Sequence, residues 1–214
     1  MSANVVVIDY GLGNLLSVVR AFENCGAKVI ISSDANEIMK ADKLVLPGVG
    51  AFANGMLELN KRGLVESIQK FVKSGKPLLG ICLGMQLLFS ESDEFGLHKG
   101  LDLLSGRVIK IPKELPDGKW RKIPHIGWNE LIFSSTNHLR KNSLLAGIEE
   151  NSAVYFIHSF AVILEDSSIL IAECNHEEFT ISAIVQKDLI FGCQFHPEKS
   201  GSIGLAIIKN FLKL

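Results

Sequence analysis

The sequence predicts an α/β fold with a mainly parallel central sheet and antiparallel additions in its second half. Two observations carry this. Up to about Glu91, short aliphatic runs alternate with stretches of helical spacing, the order of a parallel sheet with crossover helices. Beyond it, strand-like runs follow one another with only turns rich in Pro, Gly and Asn between them, such as Pro112 to Lys119.

The elements follow in order. Asn4 to Asp9 holds Val-Val-Val-Ile, a β-branched run without polar alternation, as expected of a strand buried on both faces. Leu15, Leu16, Val18, Val19 and Phe22 then recur at helical spacing, with Asn14 as N-cap and Gly26 as stop. Lys28–Ser32 reads as a strand, Asp34–Lys40 as a short helix and Leu44–Leu46 as a strand ended by Pro47-Gly48-Val49-Gly50. Phe52–Arg62 and Leu64–Ser74 read as helices, Lys76–Ile81 as a strand and Leu83–Phe89 as a helix. In the second half, strands are expected at Arg107–Ile111, Trp128–Phe133, Ala153–Phe156, Ser168–Ala172, Ile181–Val185 and Leu189–Cys193. A last helix, Ser202–Leu214, carries Ile203, Ile207, Phe211 and Leu214 on one stripe.

Composition limits the function. The 214 residues, 47% hydrophobic and 21% charged, fit one globular domain, 1–214, without repeat or linker. Lys and Arg number 22 against 23 Asp and Glu, so no general nucleic-acid footprint is expected. No apolar run reaches the ~18 residues of a membrane helix, and the start lacks a basic, signal-like region. A cytoplasmic protein without disulfides is the expectation for cysteines as dispersed as 25, 82, 174 and 193.

One of these cysteines has special surroundings. Gly80-Ile81-Cys82-Leu83-Gly84 follows a strand and opens a helix, the cysteine form of a nucleophile elbow. A sharp turn would push Cys82 out above the sheet, and glycines on either side would remove clashing Cβ atoms. The helix start favours negative charge there, and the N–H of Leu83 would face a tetrahedral oxyanion. A buried structural cysteine is the competing reading.

A cysteine nucleophile needs a base held by a third group. Of His98, His125, His138, His158, His176 and His196, only His196 follows a strand end with an acid at fixed spacing, in Gln194-Phe195-His196-Pro197-Glu198. Pro197 favours an extended His196, and in an extended chain Glu198 would point the same way and orient the ring. A surface His–Glu pair is the competing reading. Cys193 with His196 lacks further ligands at metal-site spacing, so no metal is expected.

Together, Gly80 to Gln86 and Gln194 to Glu198 resemble the class I, triad-type glutamine amidotransferases. Asp9 to Asn14, Leu46 to Phe52, Pro124-His125-Ile126-Gly127-Trp128-Asn129 and Tyr155 to Phe160 narrow the resemblance. They are similar to the glutaminase subunits of imidazole glycerol phosphate synthase, from histidine biosynthesis. The resemblance spans nearly the whole chain. It implies a flavodoxin-like three-layer fold and a Cys82–His196–Glu198 triad that hydrolyses L-glutamine through a thioester, with no cofactor. It further implies an oxyanion strand of Val49 and Gly50 with Leu83, which needs a peptide flip to donate. Gln86, Glu94, Ser159 and Phe160 match glutamine-binding positions. Asn14, Trp128 and Lys199 match positions facing a (β/α)8-barrel cyclase/synthase subunit, which would form a heterodimer and receive the ammonia.

The residues also admit plainer readings: a turn at Pro47–Gly50, a core Trp128, a solvated acidic loop around Glu94, a surface Lys199 and a satisfied core His158. One departure stands out, Phe160 where the family has tyrosine. It leaves room for a paralogue that supplies ammonia for sugar amidation in surface polysaccharide synthesis. A non-enzymatic protein on this fold would be expected to lose a triad member. A cysteine peptidase is disfavoured by Gln86 and the Pro124–Asn129 segment.

Overall fold

The computed structural model describes residues 3–134 and 143–214. Its elements are β1 (Asn4–Ile8), α1 (Leu15–Asn24), β2 (Lys28–Ser32), α2 (Ala35–Lys40), β3 (Lys43–Gly48), α3 (Phe52–Lys61), α4 (Leu64–Lys73) and β4 (Leu78–Cys82). Then come α5 (Leu83–Leu87), β5 (Phe89–Ser92), β6 (His98–Lys99), β7 (Leu104–Lys110), β8 (His125–Glu130) and β9 (Ile132–Phe133). The chain continues through β10 (Ala153–His158), β11 (Phe160–Leu164), β12 (Leu170–His176), β13 (Phe179–Lys187), β14 (Ile190–Cys193) and α6 (Gly201–Lys213).

An eight-stranded sheet in the order β2-β1-β3-β4-β14-β13-β12-β9 forms the centre. β2, β1, β3, β4 and β14 run parallel, and β13, β12 and β9 add antiparallel strands. Strand order reverses between β1 and β3, which opens a crevice at the carboxyl ends of the parallel strands. β1 shows why the fold has three layers. Val5 and Val7 pack into one core with Phe22 of α1 and Phe211 of α6. Val6 and Ile8 pack into the other with Ile38 of α2, Met56 of α3 and Phe71 of α4. A period of two on a strand covered on both faces needs apolar residues at every position.

Several expectations are corrected. The second half is not one antiparallel extension. β14 lies parallel to β4, with Gly192 opposite Gly80 and Cys193 opposite Ile81. β5, β6, β7 and β11 form a separate four-stranded sheet, and β8 and β10 a two-stranded one. The helix expected to reach Phe89 stops at Leu87, and Phe89 starts β5. Such a short apolar run has no period that separates helix from strand. β3 continues through Pro47 to Gly48. Pairing with β1 has already ended at Val45, so a residue without an N–H is tolerated there. Asn14 occupies the N-cap of α1 without a side-chain capping bond. Leu16 is exposed rather than packed.

Candidate active site

β1, β3, β4 and β14 deliver their carboxyl ends to one edge of the sheet. Cys82 ends β4 at φ 54° and ψ −111°, a strained conformation for a residue with a side chain. The two glycines permit it in different ways. A Cβ on Gly80 would lie 2.7 Å from the Gly84 carbonyl oxygen, inside the turn itself. A Cβ on Gly84 would overlap the Leu46 carbonyl oxygen of β3. The first glycine closes the turn, and the second lets α5 lie against the neighbouring strand.

His196 follows β14 in extended conformation, as expected (φ −100°, ψ 96°). What brings Glu198 beside it is a 3₁₀ turn, Pro197–Lys199, rather than a continued extended chain. His196 Nδ1 donates to Glu198 Oε1 at 2.7 Å, with the two side chains 3% and 1% exposed. This excludes the surface-pair reading. Ser200, which the sequence did not single out, ties the His196 backbone to β10. Its hydroxyl donates to the His196 carbonyl at 2.7 Å and accepts from the Tyr155 N–H at 2.9 Å.

Burial pushes the His196 imidazole down, but hydrogen bonding and charge from Cys82 and Glu198 override it and carry it up to about 10. The Glu198 contribution rests on the bond just described. The Cys82 contribution requires the thiol to face Nε2. In this rotamer Sγ instead donates to the Ile157 carbonyl and accepts from the Gln194 amide, both at 3.8 Å. Among the described residues His196 Nε2, which is buried, has no hydrogen-bond partner.

A cavity of about 630 Å³ opens over the thiol. Cys82, Leu83, Val49 and Gly50 line its floor side, and Gln86, Glu94, Ser159 and Phe160 line it as well. Gly50 has φ 109°, open to glycine and strained for other residues. Gln86 Nε2 donates to the Phe160 carbonyl and to Gln194 Oε1, each at 3.0 Å. Phe160 thus meets Gln86 through its backbone, which the loss of a tyrosine hydroxyl leaves intact. Glu94 is not in a solvated loop. It is 7% exposed and accepts the Phe52 N–H at 2.6 Å, capping α3 from the β5–β6 turn. Gln194, fully buried beside the thiol, was quoted in a motif but given no role by sequence reasoning. A polar residue in an apolar strand end was the available signal.

Asn14, Trp128 and Lys199 lie outside the cavity, all exposed. Trp128 is no core residue. It is 59% exposed and meets Tyr155 edge to face, with ring centroids 6.0 Å apart. Ile126 shares its face of β8, and Ile157 stands opposite Ile126 on β10. With exposed Val49, these side chains give the molecule an apolar surface beside the cavity mouth. His158 is a satisfied buried histidine. His138 lies outside the described residues. Among those residues no group of three or more His, Cys, Asp or Glu is placed to hold a metal, and no helix is long and apolar enough to cross a membrane.

Comparison with known proteins bears on this arrangement. The chain is 49% identical over 212 residues to the imidazole glycerol phosphate synthase subunit HisH 1 of Legionella pneumophila (strain Paris), covering 99% of this chain and 100% of the relative. It is 45% identical over 208 residues to the corresponding HisH subunit of Syntrophotalea carbinolica, covering 97% and 98%. Among solved structures, PurLQS from Thermotoga maritima superposes with a TM-score of 0.74 at 19% identity, over 100% of this chain and 99% of that one. A structure described as a crystal structure of glutamine amidotransferase gives 0.70 at 16% identity, over 97% of each chain. The family model for glutamine amidotransferase class-I matches residues 6–214, and the chain belongs to that family.

Proposed function

We propose that the chain is the glutaminase subunit of an imidazole glycerol phosphate synthase, a single cytoplasmic domain over 1–214 that hydrolyses L-glutamine and passes ammonia to a (β/α)8-barrel partner in a heterodimer. The buried His196–Glu198 pair beside a cysteine held on a strained elbow carries the chemical half of this reading. The full-length relatives carry the choice of pathway.

The reaction balances on this chain's own groups. Sγ of Cys82, paired with a His196 ring that holds the proton on Nε2, bonds to the side-chain carbonyl carbon of glutamine. The carbonyl electron pair moves onto oxygen, where backbone N–H groups of Val49, Gly50 and Leu83 stabilise it. The C–N bond breaks as His196 returns the proton to the leaving nitrogen, giving ammonia and a glutamyl thioester. Water then attacks the thioester and gives a proton to His196; the C–S bond breaks, glutamate leaves and the proton remains with the Cys82–His196 pair. Glu198 fixes the ring's tautomer and favours its charged form, consistent with the raised pKa. Gln86, Glu94, Ser159 and Phe160 hold the substrate. Asn14, Trp128 and Lys199 face the partner, and the apolar surface around Trp128 supports that placement.

The test is Cys82→Ser in the complex. A serine hydroxyl is a far weaker acid than a thiol, so glutamine-dependent turnover should vanish while synthesis from free ammonia persists. Glutamine hydrolysis retained in this variant refutes the assignment.

A further inference from the structure

A hydrogen-bonded chain runs behind the cavity wall, and the reaction proposed above uses neither of its imidazoles. His125 of β8 stands opposite His158 of β10. His158 Nδ1 is 2.8 Å from the Phe160 carbonyl oxygen. A carbonyl only accepts, so His158 Nδ1 carries the proton and its Nε2 is an acceptor. His125 Nδ1, 3.0 Å from that Nε2, must therefore donate. This leaves His125 Nε2 as an acceptor, with Asn129 Nδ2 3.4 Å away. The Asn129 amide has one orientation. Its Nδ2 donates to the Asn175 carbonyl at 2.8 Å, and its Oδ1 accepts the Glu130 N–H at 2.8 Å. The two ends of the chain thus specify one proton arrangement, with both rings neutral.

We infer that His125 and His158 are positioning residues for glutamine binding: neutral and locked in one tautomer, they fix the Phe160 carbonyl and with it the His158–Phe160 wall of the cavity. The inference rests on the glutaminase reading. The same carbonyl accepts from Gln86, which donates on to Gln194, whose amide reaches the Cys82 thiol. The chain is therefore continuous from Asn129, next to the exposed Trp128, to the nucleophile.

A second proton has no place in it. On His158 it would set N–H against N–H across 3.0 Å, and His125 could yield only by turning an N–H toward Asn129 Nδ2. The titratable groups acting on the pair are also bases. His176 of β12 stacks on His125 with centroids 4.1 Å apart, and His196, following β14, acts on His158. Burial first, then His158 and His176, push His125 down to about 3. Burial likewise pushes His158 down to about 4, although the Phe160 carbonyl opposes the shift.

The experiment compares wild type, His125→Phe and His125→Asn as full chains, in glutamine hydrolysis from pH 5.5 to 8. Phenylalanine keeps a ring against Phe156 and His176 but donates nothing to His158. Asparagine places an amide N–H near the position of Nδ1. In wild type the KM for glutamine should show no titration attributable to these rings. In His125→Phe, His158 stays buried but loses the His125 donor, so nothing holds its tautomer and the Phe160 carbonyl is released. The variant's KM should be about fivefold above wild type across the pH range, the scale of one net hydrogen bond, with kcat within about twofold of wild type. His125→Asn should restore the wild-type KM. Loss of packing alone would not be rescued by asparagine.

Identical KM profiles in wild type and His125→Phe overturn the inference, as does a His125→Asn variant no better than His125→Phe. Should the variants fail to fold, ¹⁵N spectra of wild type decide by themselves. The expected signal is a neutral, Nδ1-protonated His158 that does not titrate above pH 5.5, and the Nε2 tautomer or a titration in that range overturns the inference. Absence of glutamine hydrolysis in wild type would instead count against the glutaminase reading.

Discussion

The histidines of this molecule divide by environment, and the division sets its pH response. Against burial, hydrogen bonding and charge from Cys82 and then Glu198 raise His196 to about 10, above its ordinary value near 6.5. The stability this contributes is complete below about pH 6.5 and is lost as pH rises through about 10. His125 and His158 are depressed to about 3 and about 4. Their contribution is present above about pH 6.5 and is lost as pH falls through those values. The unfolding midpoint should therefore fall on both sides of about pH 6.5, and Glu198→Gln should flatten the alkaline side alone. Thermal denaturation from pH 4 to 10 checks this, and an unchanged alkaline slope in Glu198→Gln contradicts it. In turnover, Glu198→Gln should cost less than His196→Ala, and the double variant little more than His196→Ala, because triad members act as a unit. Tyr10 presents another kind of residue. Its hydroxyl is buried against Gly48 with no hydrogen-bond partner among the described residues, and burial followed by the nearby Cys82 pushes its pKa up. Tyr10→Phe should be at least as stable as wild type in denaturant melts, because no bond is lost and the cost of a buried unsatisfied group, about 1–3 kcal/mol, is relieved.

At the scale of elements, the elbow depends on two close approaches. Gly84 sets α5 against the Leu46 carbonyl, a backbone atom that cannot step aside. Gly84→Ala should lower stability by about 3 kcal/mol or more, the range of strong overpacking. A Cβ on Gly48 meets the Tyr10 hydroxyl, the end of a side chain. Gly48→Ala should therefore be partly rescued by Tyr10→Phe, and chemical denaturation of the four proteins in a double-mutant cycle measures the coupling. Additive effects would mean that the hydroxyl is not the obstacle. The elbow itself was legible in the sequence, since its glycines, strand and helix all bracket Cys82. The parallel strands were legible too, because burial on both faces demands unbroken aliphatic runs. Much of the second half was not. β6 has two residues, β11 follows β10 after the single residue Ser159, and the direction of β14 depends on a partner, β4, distant in sequence. Glu94 admitted a solvated-loop reading beside the glutamine-binding one because nothing local announces the Phe52 N–H it caps.

At the scale of the molecule, the apolar surface of Val49, Ile126, Trp128 and Ile157 joins the cavity mouth to the site proposed for the partner. Ammonia released without an acceptor is wasted, so the isolated chain should hydrolyse glutamine slowly and the complex much faster. Gly50→Pro should lower activated turnover far more than glutamine binding. Gly50 sits at φ 109°, which proline cannot adopt, and proline also removes an N–H there. Steady-state kinetics with and without partner test this, and a fully active isolated chain insensitive to the substitution refutes gating.

β14 has a consequence in time as well as space. It lies between β4 and β13, and the segment after it brings His196 and Glu198 to a cysteine more than half the chain earlier. During synthesis the thiol therefore leaves the ribosome long before its proposed base exists. A nascent or arrested chain ending before β14 holds Cys82 on an unfinished sheet edge, with no imidazole to take its proton. The proposed triad is thus completed only when β14 and the segment after it are in place, and a chain that ends before them lacks both His196 and Glu198.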